Sequence, residues 1–303
     1  MSITRRSIAT LAFVATFVAG CGAGASPSPT QGAPTAAPST VAGSPAATTV
    51  SIPPPTSLIT AGKLVDCVDI EYPPLEYFAT STVTDPNAAV GFDVDAAKKV
   101  ASLLGLTITI KNTGFDALIP DLQAGRCDIV WSGLYVSAKR TAVADASPYF
   151  ATGQTVMVPA GNPKNIKSAT DLCGLSVSIQ SGGLVETRIR QASMDCTTAG
   201  KAAITIQGYP KVADELQQIV LGRVDAVWET QEQVADFENK NPGKYETAYA
   251  LPKDDTYAVY TLKGKADIAT AIAAALKALK ADGSLATIAT QYHLDPANLD
   301  AIK

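Results

Sequence analysis

The sequence predicts a two-lobed α/β fold, each lobe a mainly parallel sheet flanked by helices, with two segments crossing between the lobes. Three observations carry this. Strand and helix patterns run as βαβαβ and then do so again, which favours parallel sheets with right-handed crossovers. One unit occurs twice: Ala124-Gly125-Arg126-Cys127-Asp128-Ile129-Val130-Trp131 aligns position for position with Leu221-Gly222-Arg223-Val224-Asp225-Ala226-Val227-Trp228. Two late helical patterns have no strands of their own to cover, so they return to the first lobe.

Each element follows from its local pattern. Residues 63–68 form a strand, and the prolines of Asp69-Ile70-Glu71-Tyr72-Pro73-Pro74-Leu75 then forbid helix. After Gly91-Phe92-Asp93, the residues Val94, Ala97, Val100, Ala101 and Leu104 recur at helical spacing until Gly105. A strand at 106–110 follows. Gly114-Phe115-Asp116 opens another helix, with Asp116 as its expected N-cap. Gly125 closes it and the first copy of the repeat begins. Beyond Pro148-Tyr149-Phe150 and a strand at 155–158 the pattern resets: strand 175–179, the turn Gln180-Ser181-Gly182-Gly183, helix 184–193, strand 203–206, helix 212–221 and the second copy. Ile268, Ile272, Leu276 and Leu279 stripe a long helix ended by Gly283, and a shorter helix follows at 285–292. The chain crosses between lobes near 149–152 and 245–251.

The N-terminus reads as an export signal. Arg5-Arg6 precede an apolar run from Ile8 to Val18 that is too short to span a membrane. The run ends in Val18-Ala19-Gly20-Cys21, which resembles a bacterial lipobox with Cys21 as the lipidated residue and 1–20 as the signal peptide. Thr4-Arg5-Arg6-Ser7-Ile8 is a weak version of the twin-arginine signal, so the export route stays open. Residues 21–57 carry no charge and no aromatic side chain. They are expected to form a disordered tether of roughly 30–40 Å. The folded part is then lobe 1, at 58–150 and 249–303, and lobe 2, at 151–248.

Composition excludes several functions. Lys plus Arg number 24 against 28 Asp plus Glu, with no basic patch, so nucleic acid is not an expected partner. A single histidine, His293, leaves no imidazole set for a metal site or a Ser-His-Asp triad. No cofactor or metal is expected. Apart from Cys21 there are four cysteines, and an even number in an exported chain favours disulfides. Cys173 and Cys196 flank one strand-helix unit and are expected to pair, which leaves Cys67 with Cys127; two buried free thiols are the alternative for the second pair.

A buried strand, Ile129-Val130-Trp131, ends at Ser132-Gly133 and is followed by the guanidinium of Arg140. Free backbone groups and a fixed fork of donors suit a small anionic group. Taken in order, Asp69-Ile70-Glu71-Tyr72-Pro73-Pro74, Gly91-Phe92-Asp93-Val94-Asp95, Phe115-Asp116-Ala117-Leu118-Ile119-Pro120, Ala124-Gly125-Arg126-Cys127-Asp128, Lys139-Arg140, Ser147-Pro148-Tyr149, Gln180-Ser181-Gly182 and Asp282-Gly283 are similar to motifs of the bacterial family 3 extracellular solute-binding proteins. The resemblance spans about 64–294. It implies the type II periplasmic-binding-protein fold and a receptor for polar amino acids that serves an ABC importer.

The resemblance also implies roles. Arg140 matches the arginine that clamps a ligand carboxylate, and Gly182-Gly183 stand where backbone amides at a helix start meet the same carboxylate. Tyr72 and Phe115 match an aromatic pair around the ligand side chain, and Asp69 an acid that touches a basic side chain. Ser132, Gly133 and Tyr135 line the floor, where Tyr135 replaces a smaller residue and reshapes the pocket. The acid for the ligand ammonium falls at Thr230 in this chain, with Glu229 before it. Strand alternation turns Glu229 away from the cleft. Either Glu229 swings in, Asp69 or Glu71 replaces it, or the ligand is not a standard α-amino acid. Trp131 and Trp228 read as lobe core.

The expected function is an extracytoplasmic lipoprotein, monomeric and held at the cell membrane through Cys21, that closes on a polar amino acid or related zwitterion and passes it to an ABC permease. It is not expected to be an enzyme. Two alternatives share the fold: an activity like cyclohexadienyl dehydratase, with Glu71 or Glu229 as acid, and a ligand sensor for a membrane receptor.

Overall fold

The computed structural model describes residues 51–303. The expected signal peptide, the expected lipobox with Cys21 and most of the expected tether lie outside the described residues. The end of that tether does not hang free. The Thr56 and Ser57 amides donate to Asp267 Oδ2 at 2.8 and 2.9 Å, and the Ser57 hydroxyl donates to Oδ1 at 2.5 Å. Those donors, the Ser57 hydroxyl first, hold the Asp267 carboxyl well below the usual range.

The first sheet is built from β1 (Lys63–Val68), β2 (Thr107–Asn112), β3 (Ile129–Val130), β4 (Ala144–Thr152) and, after an excursion, β10 (Asp255–Leu262). The second holds β5 (Gln154–Pro159), β6 (Ser176–Gln180), β7 (Thr205–Tyr209), β8 (Ala226–Thr230) and β9 (Tyr245–Ala250). Their spatial orders, β2-β1-β3-β10-β4 and β7-β6-β8-β5-β9, are equivalent. Each sheet is mixed. The βαβαβ half pairs in parallel, and the other half is antiparallel because β4, β10, β5 and β9 adjoin the crossings and run back along the sheet. One crossing lies at Gly153, and the other runs over residues 251–254.

Helices α1 (Phe92–Leu103), α2 (Leu118–Gln123) and the single turn α3 (Ala138–Thr141) belong to the first lobe. The second lobe has α4 (Leu184–Thr198), α5 (Val212–Val220) and α6 (Gln231–Lys240). The C-terminal α7 (Ala266–Ala281) and α8 (Ser284–Gln291) pack on α1, as their lack of strands implied. Asp116 does not cap α2. A 3-10 turn, Phe115–Ala117, precedes that helix with Gly114 at its start, and this frees the Asp116 carboxylate to approach Gly182 of the other lobe.

Trp131 and Trp228 are buried, in keeping with lobe core. Disulfides join Cys67 to Cys127 in one lobe and Cys173 to Cys196 in the other. Gly91 shows why a glycine opens α1. At φ 128° a side chain there would run into the Leu75 backbone, and the Asp93 amide bonds that same Leu75 carbonyl at 2.9 Å.

Candidate functional site

The lobes meet at the C-terminal ends of their parallel strands. The loop after β1 contributes Asp69, Tyr72 and Glu76, and the chain after β3 contributes Ser132, Gly133 and Tyr135. Opposite them stand Gln180 from the end of β6, Gly183, Leu184 and Val185 at the start of α4, and Glu229-Thr230 at the end of β8. Together with Phe115 they enclose a cavity of about 20 Å³, room for about one water. A wider groove of about 680 Å³ adjoins it, and Phe115, Gly183 and Leu184 line both.

Tyr72 ties the walls together. Its hydroxyl donates to Glu229 Oε1 at 2.8 Å and lies 2.6 Å from Thr230 Oγ1. Lys211 of the second lobe pairs with Glu71 at 2.9 Å, and Arg188 of α4 grips Asp255 at 2.6 and 2.8 Å. The Thr152 hydroxyl donates to Glu232 at 2.5 Å beside the crossing. These bonds hold a closed cleft.

The cavity wall is acidic. Asp69, Glu76 and Glu229 are 4%, 1% and 2% exposed, and each keeps a buried carboxyl oxygen without a hydrogen-bond donor. Among the described residues no ion pair reaches any of the three. Burial pushes Asp69 up to about 7, and the nearby Glu71 charge adds to it. Glu229 also rises to about 7 through burial, against the pull of its bonds from Tyr72 and the Thr230 amide. Glu76 is raised by burial and by Asp93; the Ser132 hydroxyl, donating at 2.8 Å, opposes this. Behind it, Asp93 accepts the Gly133 amide at 2.8 Å and the Tyr149 hydroxyl at 2.6 Å.

The sequence-predicted residues divide between the two spaces. Asp69, Tyr72, Phe115, Ser132, Gly133, Tyr135, Gly183, Glu229 and Thr230 line the cavity, and Arg140 and Gly182 line the groove. The Arg140 guanidinium donates to the Tyr135 carbonyl at 2.9 Å and lies 5.7 Å from the Phe115 ring centre. It makes no ion pair among the described residues, and burial lowers its pKa. The expected amide nest is partly taken: the Gly182 amide donates to Glu186 at 2.7 Å, a carboxylate already supplied by the first turn of α4. Gly182 sits at φ 85°, a conformation that strains any side chain, and a Cβ there would also have to displace the Asp116 carboxylate of the other lobe.

Glu229 departs from strand alternation. Both it and Thr230 reach the cleft, because β8 ends there and the long Glu229 side chain folds round the strand end to accept the Thr230 amide at 2.8 Å. Glu71 faces Lys211 and lies outside the cavity. Three lining groups escaped the sequence reading: Glu76, Gln180 and the first residues of α4. Glu76 stands four residues after Tyr72 in the proline loop, and nothing local marks it as buried.

The comparisons with known proteins agree with this geometry. The family model for bacterial extracellular solute-binding proteins, family 3, matches residues 64–295. The L-cystine-binding protein TcyJ of Escherichia coli is 26% identical over 233 residues, covering 76% of this chain and 82% of that protein. The arginine-binding protein ArgT of Corynebacterium glutamicum is 24% identical over 247 residues, 81% of this chain and 79% of its own. An ancestral arginine-binding protein bound to arginine superposes with a TM-score of 0.70 at 28% identity, covering 76% of this chain and 98% of that one. The ancestral amino acid-binding protein AncCDT-1, a precursor of cyclohexadienyl dehydratase, gives 0.66 at 26% identity over 76% and 95%. With two equivalent sheets, a cleft at their strand ends and a family match over most of its length, the chain belongs to the bacterial extracellular solute-binding proteins of family 3.

Proposed function

We propose that this protein captures a polar amino acid or a similar small zwitterion between its lobes and delivers it to an ABC permease. It works as a monomer on the extracytoplasmic face, anchored through a lipid on Cys21. One observation carries the ligand reading. Buried carboxyl oxygens of Asp69 and Glu76 on one wall and Glu229 on the other share a cavity without a basic partner, and Arg140 waits in the adjoining groove. An ammonium or guanidinium in the cavity satisfies those oxygens, and a carboxylate in the groove meets Arg140. A cation that touches both walls binds the closed form better than the open one, and only such a difference drives closure. The relatives that bind arginine and cystine support the same ligand class.

The closed cavity holds about one water, so an amino acid enters only when the lobes part. A thermal-shift screen against amino acids, diamines and quaternary amines tests the reading, because a true ligand raises stability by mass action. Zwitterions with N–H donors should stabilise the protein and quaternary amines should not. A screen in which no zwitterion shifts the melting curve would overturn the proposal. The anchor is tested separately: C21S should release the protein from membranes.

One observation favours a second reading. Glu229 titrates near 7 and lies beside Tyr72 and Thr230 in a closed cleft, which suits a general acid. Incubation with prephenate or arogenate, with an assay for the dehydrated product, separates turnover from binding.

A further inference from the structure

The groove beside the acidic cavity carries charges of both signs. Arg140 and Asp116 reach it from the first lobe, and Gly182, Gly183 and Glu186 face them from the second. The Phe115 ring lies 5.7 Å from the Arg140 guanidinium and against Gly183, and Asp116 is the next residue in the chain. Two carboxylates line this groove, and one of them is engaged. Glu186 accepts the Gly182 amide at 2.7 Å and the Arg190 Nε–H at 2.8 Å. Asp116 is exposed, and it is the N-cap neither of its 3-10 turn nor of α2. No ion pair reaches it among the described residues, from Arg140 or from any other cation. Gly182 makes room for it. A side chain at 182 would fall on Asp116 Oδ1, so the glycine leaves that carboxylate at the edge of the groove, opposite the start of α4.

The covalent structure of an α-amino acid does the rest. Its ammonium and its carboxylate hang on one carbon atom. A carboxylate at Arg140 therefore keeps the α-ammonium in the groove, away from Glu76 and Glu229, which line the cavity and not the groove. Asp116 is the groove carboxylate left to receive it. The cavity carboxyls are then free for a second positive group at the end of the side chain. We infer that Asp116 binds the ligand's α-ammonium, in the role that the family resemblance gave to the position of Thr230, and that the ligand is an α-amino acid with a basic side chain. This rests on the reading that the cleft closes on a zwitterion with its carboxylate at Arg140. The neighbours agree. The Thr230 hydroxyl is occupied, 2.6 Å from the Tyr72 hydroxyl and accepting the Gln233 amide at 3.3 Å. Lys211 lines a neighbouring pocket together with Asp116, yet it pairs with Glu71 at 2.9 Å.

The test is calorimetric titration of the whole protein at pH 7 with matched pairs of compounds: L-arginine against 5-guanidinovalerate, and L-lysine against 6-aminohexanoate. The second member of each pair keeps the carboxylate and the side-chain cation and lacks only the α-ammonium. An exposed carboxylate partner should give the parent protein about a fivefold preference for the amino acid. D116N should bring the two members within about twofold of each other, by weakening the amino acid and leaving its partner unchanged. E229Q should weaken both members by a similar factor, because it acts on the side-chain cation. A preference that survives in D116N, or one that E229Q abolishes, would overturn the inference. So would a parent protein that binds neither basic amino acid. In that case binding of neutral zwitterions would leave the wider ligand reading standing, and binding of no zwitterion would end both.

Discussion

The two walls of the cleft start from the same eight-residue unit and finish with different chemistry. In both, a glycine with φ near 65° ends a helix: Gly125 at 67° and Gly222 at 64°. In both, the next arginine amide bonds back to the helix, Arg126 to Asp121 and Arg223 to Gln218, each at 2.9 Å. Asp128 and Asp225 clamp the neighbouring strand alike. Each amide donates to a carbonyl of that strand at 2.8 Å, Val65 for Asp128 and Ser176 for Asp225, and the amide of the same residue donates to each carboxylate at 2.9 Å. Both tryptophans are buried. After them the walls diverge. The first lobe breaks at Ser132-Gly133, with Gly133 at φ 53° turning its amide onto Asp93. The second continues as strand through Glu229 to Thr230, which caps α6 by accepting the Gln233 amide at 3.3 Å. The repeat supplies the frame. The one or two residues beyond it decide that one wall offers a hydroxyl and small backbone groups and the other a carboxylate.

This difference can be broken directly. E229Q removes the second wall's charge and should weaken binding of a cationic zwitterion about 100-fold or more, since one partner of a desolvated charged contact is lost. S132A removes the first wall's hydroxyl, which bridges the Asp69 amide at 3.0 Å and Glu76 at 2.8 Å, and should cost roughly five- to tenfold. Isothermal titration of both variants gives the ratio. Equal losses would mean that the walls share the ligand evenly.

A smaller effect sharpens the comparison. Asp69 and Asp93 in the first wall and Glu229 in the second titrate near 7, against about 4 in an unfolded chain. Between those values the folded protein holds more protons than the unfolded one. These three groups therefore make stability fall as pH rises from about 4 to about 7. Asp121, Asp171 and Glu186, whose pKa values are lowered by their hydrogen bonds, act in a separate window and lose their contribution only below about 4. The ligand-free protein should melt at a higher temperature at pH 5 than at pH 8. A cationic ligand should narrow that gap, because it favours the ionised carboxyls. A flat melting temperature across this range would show that the buried acids are better solvated than the cavity suggests.

Much of this was legible in the sequence. The repeat and the βαβαβ runs gave both lobes, and the two stray C-terminal helices showed that the chain returns to the first. Periodicity did not reveal the antiparallel half of each sheet, because pairing direction depends on which lobe a crossing strand enters. The cleft residues Asp69, Tyr72 and Thr230 were readable through the family resemblance, and they lie at or just after strand ends. Arg140 was readable too, but its position in the adjoining groove depends on the Phe115 ring between the two spaces. Glu215, wholly buried on α5, went unnoticed although a signal existed. It falls three residues after Val212 and four before Ile219, on the apolar stripe of its own helix, where a charged residue is out of place. Glu76 had no such signal, since its burial is set by a loop folding over α1.

The central claim is that a positive group goes to the acidic cavity while a carboxylate goes to Arg140. Calorimetric titration of the parent protein and R140A with L-arginine and with agmatine, which lacks the carboxylate, tests it most directly. The parent should prefer arginine by about tenfold or more, and R140A should bind the two alike. An undiminished preference for arginine in R140A would contradict the account.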